Sequence, residues 1–205
     1  LGPNGAGKST LIKTIMNMIK PNGGYVRIFG KRPKDGIKRI GYIPQKESID
    51  WDFPVTVFDV VLMGRYGHHG WFGRIGKEDR KKASEALEQV NMLSYSERPI
   101  GNLSGGQQQR VFLARALAQE SEVYLMDEPF AGVDAVTEKA IISILQGMKK
   151  EGKTLVVVHH DLASAKEYFD HLLLLNMRKI AYGPVSKVYT RELLQKTYGG
   201  KLTVL

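Results

Sequence analysis

Apolar residues recur along this chain with two different spacings. Intervals of three and four residues predict amphipathic helices over residues 8–19 and 77–92. Short apolar runs bounded by turn residues predict strands instead, over residues 25–29, 39–43, 123–126, 154–158 and 172–175, with 178–182 as the hairpin partner of the last. Strands that alternate with helices predict a parallel sheet with helices on both faces.

Residues that cap helices stand in front of further helical patterns. Thr56, Ser104 and Asp134 can each accept a hydrogen bond from the helical turn that follows. We expect helices after these three caps and near the end of the sequence, over residues 56–63, 104–119, 135–150, 162–168 and 191–198.

The helical patterns are concentrated in the middle of the chain. Residues 46–103 are mostly helical in pattern, whereas residues 1–45 and 104–205 alternate between strands and helices. We therefore expect one domain over residues 1–205, in which a helical subdomain is inserted into an α/β core.

The composition is that of an ordinary globular domain. Of 205 residues, 42% are hydrophobic and 25% are charged, and no apolar run approaches the roughly 20 residues of a membrane-spanning helix. The absence of cysteine excludes disulfides and thiolate metal sites. The net charge of +9 indicates either an anionic partner or a solvated surface beside a nucleotide site. Because the basic residues are spread thinly and no aromatic-rich RNA-binding motif accompanies them, we expect no nucleic-acid partner.

A phosphate-binding loop opens the sequence. Gly2-x-x-x-x-Gly7-Lys8-Ser9 is the Walker A pattern, in which glycines let successive backbone N–H groups approach phosphate oxygens. The helix that follows adds the positive end of its dipole. We expect ATP to be bound by a continuous run of residues: Asn4, Gly5, Ala6, Gly7, Lys8, Ser9 and Thr10. The Ser9 hydroxyl is also a candidate ligand of Mg²⁺.

An acidic pair follows the predicted strand 123–126. Asp127 and Glu128 stand where that strand reaches the carboxyl edge of the sheet, which is where α/β proteins bind ligands. Asp127 can hold Mg²⁺ through water, and Glu128 can orient or deprotonate an attacking water. The alternative is an acidic helix-cap region before Pro129.

The segment LSGGQQQR, residues 103–110, lies between these two motifs and by itself is a serine- and glycine-rich helix entrance. In this position it resembles the signature segment of the ATP-binding cassette (ABC) family. Other motifs of that family occur in the same order: Gln45 in the Q-loop position, residues 131–134 (AGVD) as the D-loop, and His160 as the switch histidine. The resemblance covers essentially the whole chain and implies a P-loop NTPase fold of the ABC ATPase type.

The resemblance also implies roles for these residues. Ser104, Gly105 and Gly106 would bind the γ-phosphate of an ATP held by a second copy of the domain. Asp134 would contribute to nucleotide binding at the dimer interface. Gln45 would contact Mg²⁺ or the attacking water. We expect the glutamines after the signature, residues 107–109, to be surface and interface residues.

Two histidines compete for the position at the γ-phosphate. We prefer His160 to His159, because the family's histidine directly precedes an acidic residue, here Asp161. A metal site formed by two adjacent histidines is disfavoured, since neighbouring residues on a strand point to opposite faces. The same argument applies to His68 and His69.

Several segments are similar to the ATPase subunits of manganese, zinc and iron importers: residues 48–54, 59–67, 130–134 and 196–202. This likeness implies a homodimer of ATPase subunits at the cytoplasmic face of the cell membrane, bound to integral-membrane permease subunits and serving a substrate-binding protein indirectly. Five aromatic residues would form the docking surface or simply pack the helical subdomain: Trp51, Phe53, Tyr66, Trp71 and Phe72.

The sequence departs from the family pattern at its start. ABC ATPases carry antiparallel strands, an adenine-stacking aromatic and a central strand before Walker A, whereas this sequence begins at Leu1. We expect those amino-terminal strands to lie outside the sequence. The alternatives to a metal importer are an exporter subunit and a soluble ABC ATPase acting on DNA or ribosomes. We expect neither of these soluble types, because only a short helical segment separates Walker A from the signature and the sequence shows one set of cassette motifs.

Overall fold

The computed structural model describes residues 1–45, 54–69 and 74–199. These residues group into two compact units, each described by itself: Leu1–Pro33 with Val158–Leu205, and Lys34–Val157. Trp51, Phe53, Trp71 and Phe72 lie outside the described residues, so whether they dock a partner or pack the helical subdomain stays a prediction. The boundaries of the helical subdomain also stay a prediction.

The helices are α1 (Lys8–Ile15), α2 (Pro33–Gly36), α3 (Val57–Leu62), α4 (Lys77–Gln89), α5 (Gly105–Ala118), α6 (Ala135–Lys150), α7 (Leu162–Tyr168), α8 (Val185–Val188) and α9 (Arg191–Tyr198). The strands are β1 (Ile40–Ile43), β2 (Val123–Asp127), β3 (Thr154–Val158), β4 (His171–Asn176) and β5 (Arg178–Pro184). Short 3₁₀ helices occupy Ile37–Arg39, Met63–His68, Leu93–Tyr95 and Ile100–Asn102.

In the second unit, β2 is the central strand of a sheet with the order β1-β2-β3. β1 and β2 are parallel, and Ile43 lies opposite Met126. Tyr124, Leu125 and Met126 are each at most 2% exposed, so β2 is buried on both faces. This is the burial expected of a strand inside a parallel sheet.

The predicted caps set the starts of three helices in this unit. Thr56 and Asp59 form a reciprocal capping box at α3, and Ser104 and Gln107 form another at α5. The carboxylate of Asp134 caps α6 by accepting from the first-turn N–H groups. Each cap satisfies helix N–H groups that have no intrahelical acceptor, which is why the boundaries could be predicted from these residue types.

A buried ion pair ties the 3₁₀ segment Met63–His68 to its neighbours. The Arg65 guanidinium contacts the Asp79 carboxylate (3.1 Å) and the Ala118 carbonyl (2.7 Å), so it joins α4 to the end of α5. Gly76 N–H, His69 and Arg65 all bond the Asp79 carboxylate and hold its pKa well below its usual range. Asp79 is therefore a charged acceptor inside the helical part of this unit.

The first unit is built on the antiparallel hairpin β4–β5. Its core is a cluster of five buried side chains from four elements: Ala165, Leu172, Leu174, Val188 and Leu194. The helices α7, α8 and α9 thus pack their apolar residues on one strand, β4.

One predicted strand does not form. Residues 25–29 contribute only an isolated bridge between Ile28 and Lys31, because the chain reverses at Phe29 and Gly30, whose φ angles are 52° and 74°. α1 is shorter than predicted because Asn17 adopts a left-handed conformation (φ 57°), a common way to end a helix.

Among the residues described, no helix has the length and apolar character needed to cross a bilayer.

We expect Leu174→Ala to destabilise the protein substantially. Leu174 is fully buried in the core of the first unit, and truncation of such a leucine costs about 2–5 kcal/mol through lost burial and the cavity left behind. Met177→Ala is the control, because Met177 is 82% exposed at the turn of the same hairpin. Urea unfolding of both variants measures the difference, and equal midpoints would contradict the assigned core.

Candidate nucleotide site

The phosphate-binding loop is attached to β4 by backbone hydrogen bonds. The Leu1 nitrogen donates to the Leu173 carbonyl (2.8 Å), and the Leu175 N–H donates to the Leu1 carbonyl (2.9 Å). This alternation is the pattern of a parallel ladder. Further along, the Met177 N–H donates to the Ala6 carbonyl (3.1 Å). The hairpin therefore holds both the entrance and the middle of the loop, a role that no pattern in the sequence predicted.

Glycines permit the path of the loop. A Cβ on Gly2 would lie 2.0 Å from the Leu175 carbonyl oxygen, a distance no side chain tolerates. Gly5 and Gly7 have φ angles of 76° and 92°, in the left-handed region that glycine adopts without strain. The turn brings the loop directly onto the amino terminus of α1.

The start of α1 offers positive charge. Its first intrahelical bond runs from Leu11 N–H to the Gly7 carbonyl (2.9 Å), so the preceding N–H groups have no acceptor within the helix. The Lys8 ammonium lies over the loop and donates to the carbonyls of Gly2 (2.7 Å) and Pro3 (3.0 Å). An ammonium group and oriented N–H groups at one helix end fit the phosphates of a nucleotide. Ser9, half-buried in the first turn, brings its hydroxyl to the same end.

The Asp127 carboxylate is buried at the end of β2. The residue is 2% exposed, and its Oδ1 has no hydrogen-bond partner among the described residues. A buried carboxylate oxygen without a partner is costly unless a cation or water satisfies it. The residue thus fits the predicted role of holding Mg²⁺ through water.

Glu128 follows in a strained backbone conformation. Its φ angle of 54° is uncommon for a residue other than glycine, and its carbonyl accepts from Ala131 N–H in a tight turn (3.1 Å). Strain of this kind concentrates at functional sites, where the surrounding structure maintains it. The half-buried side chain begins where β2 ends.

The strand ladder places Gln45 at the same edge. Because Ile43 is paired with Met126 in parallel register, the residues after β1 and after β2 leave the sheet side by side. The ladder therefore brings Gln45 to the edge that carries Asp127 and Glu128. Sequence alone identified Gln45 only through the family pattern.

The signature residues occupy the amino terminus of α5. Ser104 is exposed and caps the helix, and Gly105 and Gly106 form its first turn. Two of the following glutamines were expected at the surface, and that expectation is wrong. Gln108 and Gln109 are 7% and 5% exposed, because they lie on the inner face of α5, where the Gln108 amide donates to the Ile100 carbonyl (3.3 Å).

The two adjacent histidines have different environments. His159 is 3% exposed and its Nε2 lies 2.7 Å from the Ser164 hydroxyl, which itself donates to the Asp161 carboxylate. Ser164 therefore accepts from His159, which places the proton on Nε2. Burial lowers the pKa of His159 to about 4. His160 is exposed, so it is the histidine able to reach a ligand.

The histidine pair in the second unit is bound to protein groups. His69 Nε2 lies 2.9 Å from the Asp79 carboxylate, and His68 Nε2 lies 2.8 Å from the Gln119 carbonyl. Within residues 1–45, 54–69 and 74–199, no group of three or more histidine, cysteine or acidic side chains is arranged to hold a metal ion.

The predicted site residues fall into two sets. The loop residues from Asn4 to Thr10 and His160 belong to the first unit, and the others belong to the second: Gln45, Ser104, Gly105, Gly106, Asp127, Glu128 and Asp134. Their individual roles stay predictions.

The proteins to which this chain is similar are ATP-binding proteins of metal transport systems. A family model for ABC transporters matches residues 1–131. The chain is 59% identical over its full 205 residues to the manganese transport system ATP-binding protein MntB of Bacillus subtilis, of which it covers 82%. It is 55% identical to the zinc transport system ATP-binding protein TroB of Treponema pallidum, with 99% of this chain and 76% of that protein covered.

Solved structures are similar over nearly the whole chain. A chain of an ABC transporter in an inward-facing conformation has a TM-score of 0.83 at 30% identity, with 96% of this chain and 76% of that chain covered. A dimeric ATP-binding cassette in a post-hydrolysis state, bound to ADP and phosphate, has a TM-score of 0.76 at 29% identity, with 90% of this chain and 83% of that chain covered. These likenesses confirm the resemblance inferred from the motifs and the fold class that it implied.

We expect His159 to make the protein sensitive to acid. Its pKa is about 4 in the folded protein and 6.5 ordinarily, so the unfolded chain takes up the proton first as the pH falls. His159 costs no stability above pH 6.5, whereas the free energy of unfolding falls by about 3 kcal/mol as the pH decreases from 6.5 to 4.

Thermal melts of wild type and His159→Gln between pH 7.5 and pH 4 measure this loss. The melting temperature of His159→Gln should fall less over the interval, because glutamine does not titrate. His160→Gln is the matched control and should follow the wild type. A parallel decline of all three proteins would contradict the assignment.

Proposed function

Because this chain belongs to the ABC transporter family, we propose that it is the ATP-hydrolysing subunit of an importer for manganese or zinc. The observation that carries the cargo assignment is the 59% identity, over all 205 residues, to a manganese transport system ATP-binding protein. The zinc transport system protein at 55% identity supports the same class of cargo. The transported metal would cross the membrane in partner subunits and would not contact this chain.

Nucleotide binding rests on the loop from Asn4 to Thr10. The N–H groups at the start of α1 and the Lys8 ammonium bind the phosphates of ATP. The Ser9 hydroxyl and Asp127 are the residues that hold Mg²⁺, with Gln45 as a third contact. Bound Mg²⁺ neutralises charge on the phosphate oxygens.

Hydrolysis rests on residues at the two strand ends and on His160. Glu128 accepts a proton from the water whose oxygen attacks the γ-phosphorus, as the bond from phosphorus to the ADP oxygen breaks. Gln45 orients that water and His160 contacts the γ-phosphate. Buried, neutral His159 holds the backbone of the adjacent His160 through its bond to Ser164.

Two copies complete the site. Ser104, Gly105 and Gly106 bind the ATP held by the other copy, and Asp134 lies at the same interface. The similarity to a dimeric cassette bound to ADP and phosphate supports this arrangement. Closure of the dimer would move integral-membrane permease subunits, and the protein would act at the cytoplasmic face of the membrane. A substrate-binding protein would act on the permease and reach this chain only indirectly.

We expect Glu128→Gln to separate ATP binding from hydrolysis. The amide keeps the shape of the side chain but cannot take the proton, so ATPase turnover should fall by about 10²–10⁴ while ATP still binds. Gel filtration with ATP and Mg²⁺ should show a stable dimer. Glu167→Gln, an exposed position on α7, is the control and should hydrolyse ATP normally. Near-normal turnover of Glu128→Gln would reassign the base.

We expect loss of the gene to reduce uptake of a transition metal. Radioactive manganese and zinc uptake should fall in the deletion strain and return with the wild-type gene, but not with the Glu128→Gln gene. Unchanged manganese and zinc uptake with a defect in the handling of another solute would overturn the cargo assignment. A defect in metal efflux would indicate an exporter instead.

A further inference from the structure

The signature turn touches the first turn of α6. A Cβ built on Gly106 would lie 3.1 Å from both Cγ2 and Oγ1 of Thr137 and 3.5 Å from its Cβ. The two 3.1 Å distances are tighter than ordinary van der Waals contact, so the end of the Thr137 side chain occupies the space that a side chain on Gly106 would need. The signature turn and the first turn of α6 therefore pack closely against each other within one subunit.

Asp134 fixes the position of Thr137. One carboxylate oxygen accepts from the N–H groups of Val136 (3.0 Å) and Thr137 (2.9 Å), and the other accepts from the Thr137 hydroxyl (2.8 Å). The bonds from the Thr137 backbone and hydroxyl lower the pKa of Asp134 and keep it charged. With the hydroxyl held, the rotation of the threonine side chain is restricted.

We propose that Thr137 is a positioning residue that ties the signature turn to the D-loop, so that Asp134 acts on the signature through it. This inference rests on the proposed function, in which both segments meet a second copy. Asp134 holds the hydroxyl, and the methyl and hydroxyl of Thr137 support the backbone at Gly106. The signature and the D-loop then approach the second copy as one rigid surface.

The contact matters because small displacements of phosphate-binding groups at such a surface weaken binding strongly. Groups that bind a phosphate must be placed to within about 0.5 Å of their productive position. The capping box of Ser104 and Gln107 orders the signature turn from within α5, and Thr137 supports it from α6. Removal of that support should weaken dimer formation without changing how one subunit binds ATP at its own phosphate-binding loop.

Substitutions of Thr137 in the full chain that carries Glu128→Gln test the inference. Thr137→Val keeps the shape and loses the hydroxyl, Thr137→Ser keeps the hydroxyl and loses the methyl, and Thr137→Ala loses both. We expect the ATP-dependent dimer to weaken at least about tenfold with alanine and less with valine and serine, by sedimentation with ATP and Mg²⁺. ATP binding measured at protein concentrations below dimerisation should stay within about twofold for all three. Thr154→Ala, an exposed threonine at the start of β3, is the control.

A double-mutant cycle tests the contact itself. Gly106→Ala should weaken the dimer strongly when Thr137 is present. It should weaken the dimer much less in the Thr137→Ala background, because the added methyl group then has room. This inference would be overturned if the effects of the two substitutions were additive, or if Thr137→Ala left the dimer unchanged. It would also be overturned if Thr137→Ala weakened ATP binding by the single subunit as much as it weakened the dimer. Failure of the Glu128→Gln parent to dimerise with ATP would overturn the proposed function, and this inference with it.

Discussion

Hydrogen bonding between adjacent strands is the constraint on which the phosphate-binding loop, Gln45 and the acidic pair depend. Buried backbone groups must be paired, so the register of a strand fixes where the loop after it emerges. The pairing of Ile43 with Met126 delivers Gln45 and the acidic pair to one edge of the second unit. In the first unit, β4 holds Leu1 and the hairpin turn holds Ala6, which gives the phosphate-binding loop its path. Backbone pairing therefore positions most of the predicted site residues.

The helix starts divide into two kinds according to their function. α1 begins at Gly7, which brings no side chain to the helix terminus, so a phosphate can take the place of a cap. α5 and α6 begin at Ser104 and Asp134, whose side chains cap their own helices. Their first turns are therefore partly satisfied before any ligand arrives.

Burial separates the roles of the adjacent histidines His159 and His160. His159 contacts the Phe169 ring and is bonded to Ser164, and because burial lowers its pKa it stays neutral at physiological pH. The other is exposed at the end of β3. The bond from His159 to Ser164 therefore fixes the turn that carries the exposed side chain of His160. Capping of α7 by Asp161 strengthens the same turn, since its carboxylate accepts from the Ser164 hydroxyl that His159 also contacts.

The sequence by itself determined the features that depend on short-range chemistry. Caps such as Thr56, Ser104 and Asp134 marked their helix starts, because the capping bond spans only three residues. The β4–β5 hairpin and the family followed equally from local patterns and motifs. Tertiary structure decided what depends on neighbours distant in sequence: the burial of Gln108 and Gln109, and the contact between Gly106 and Thr137. Those outcomes depend on which segments pack together, and no local pattern along the chain encodes that.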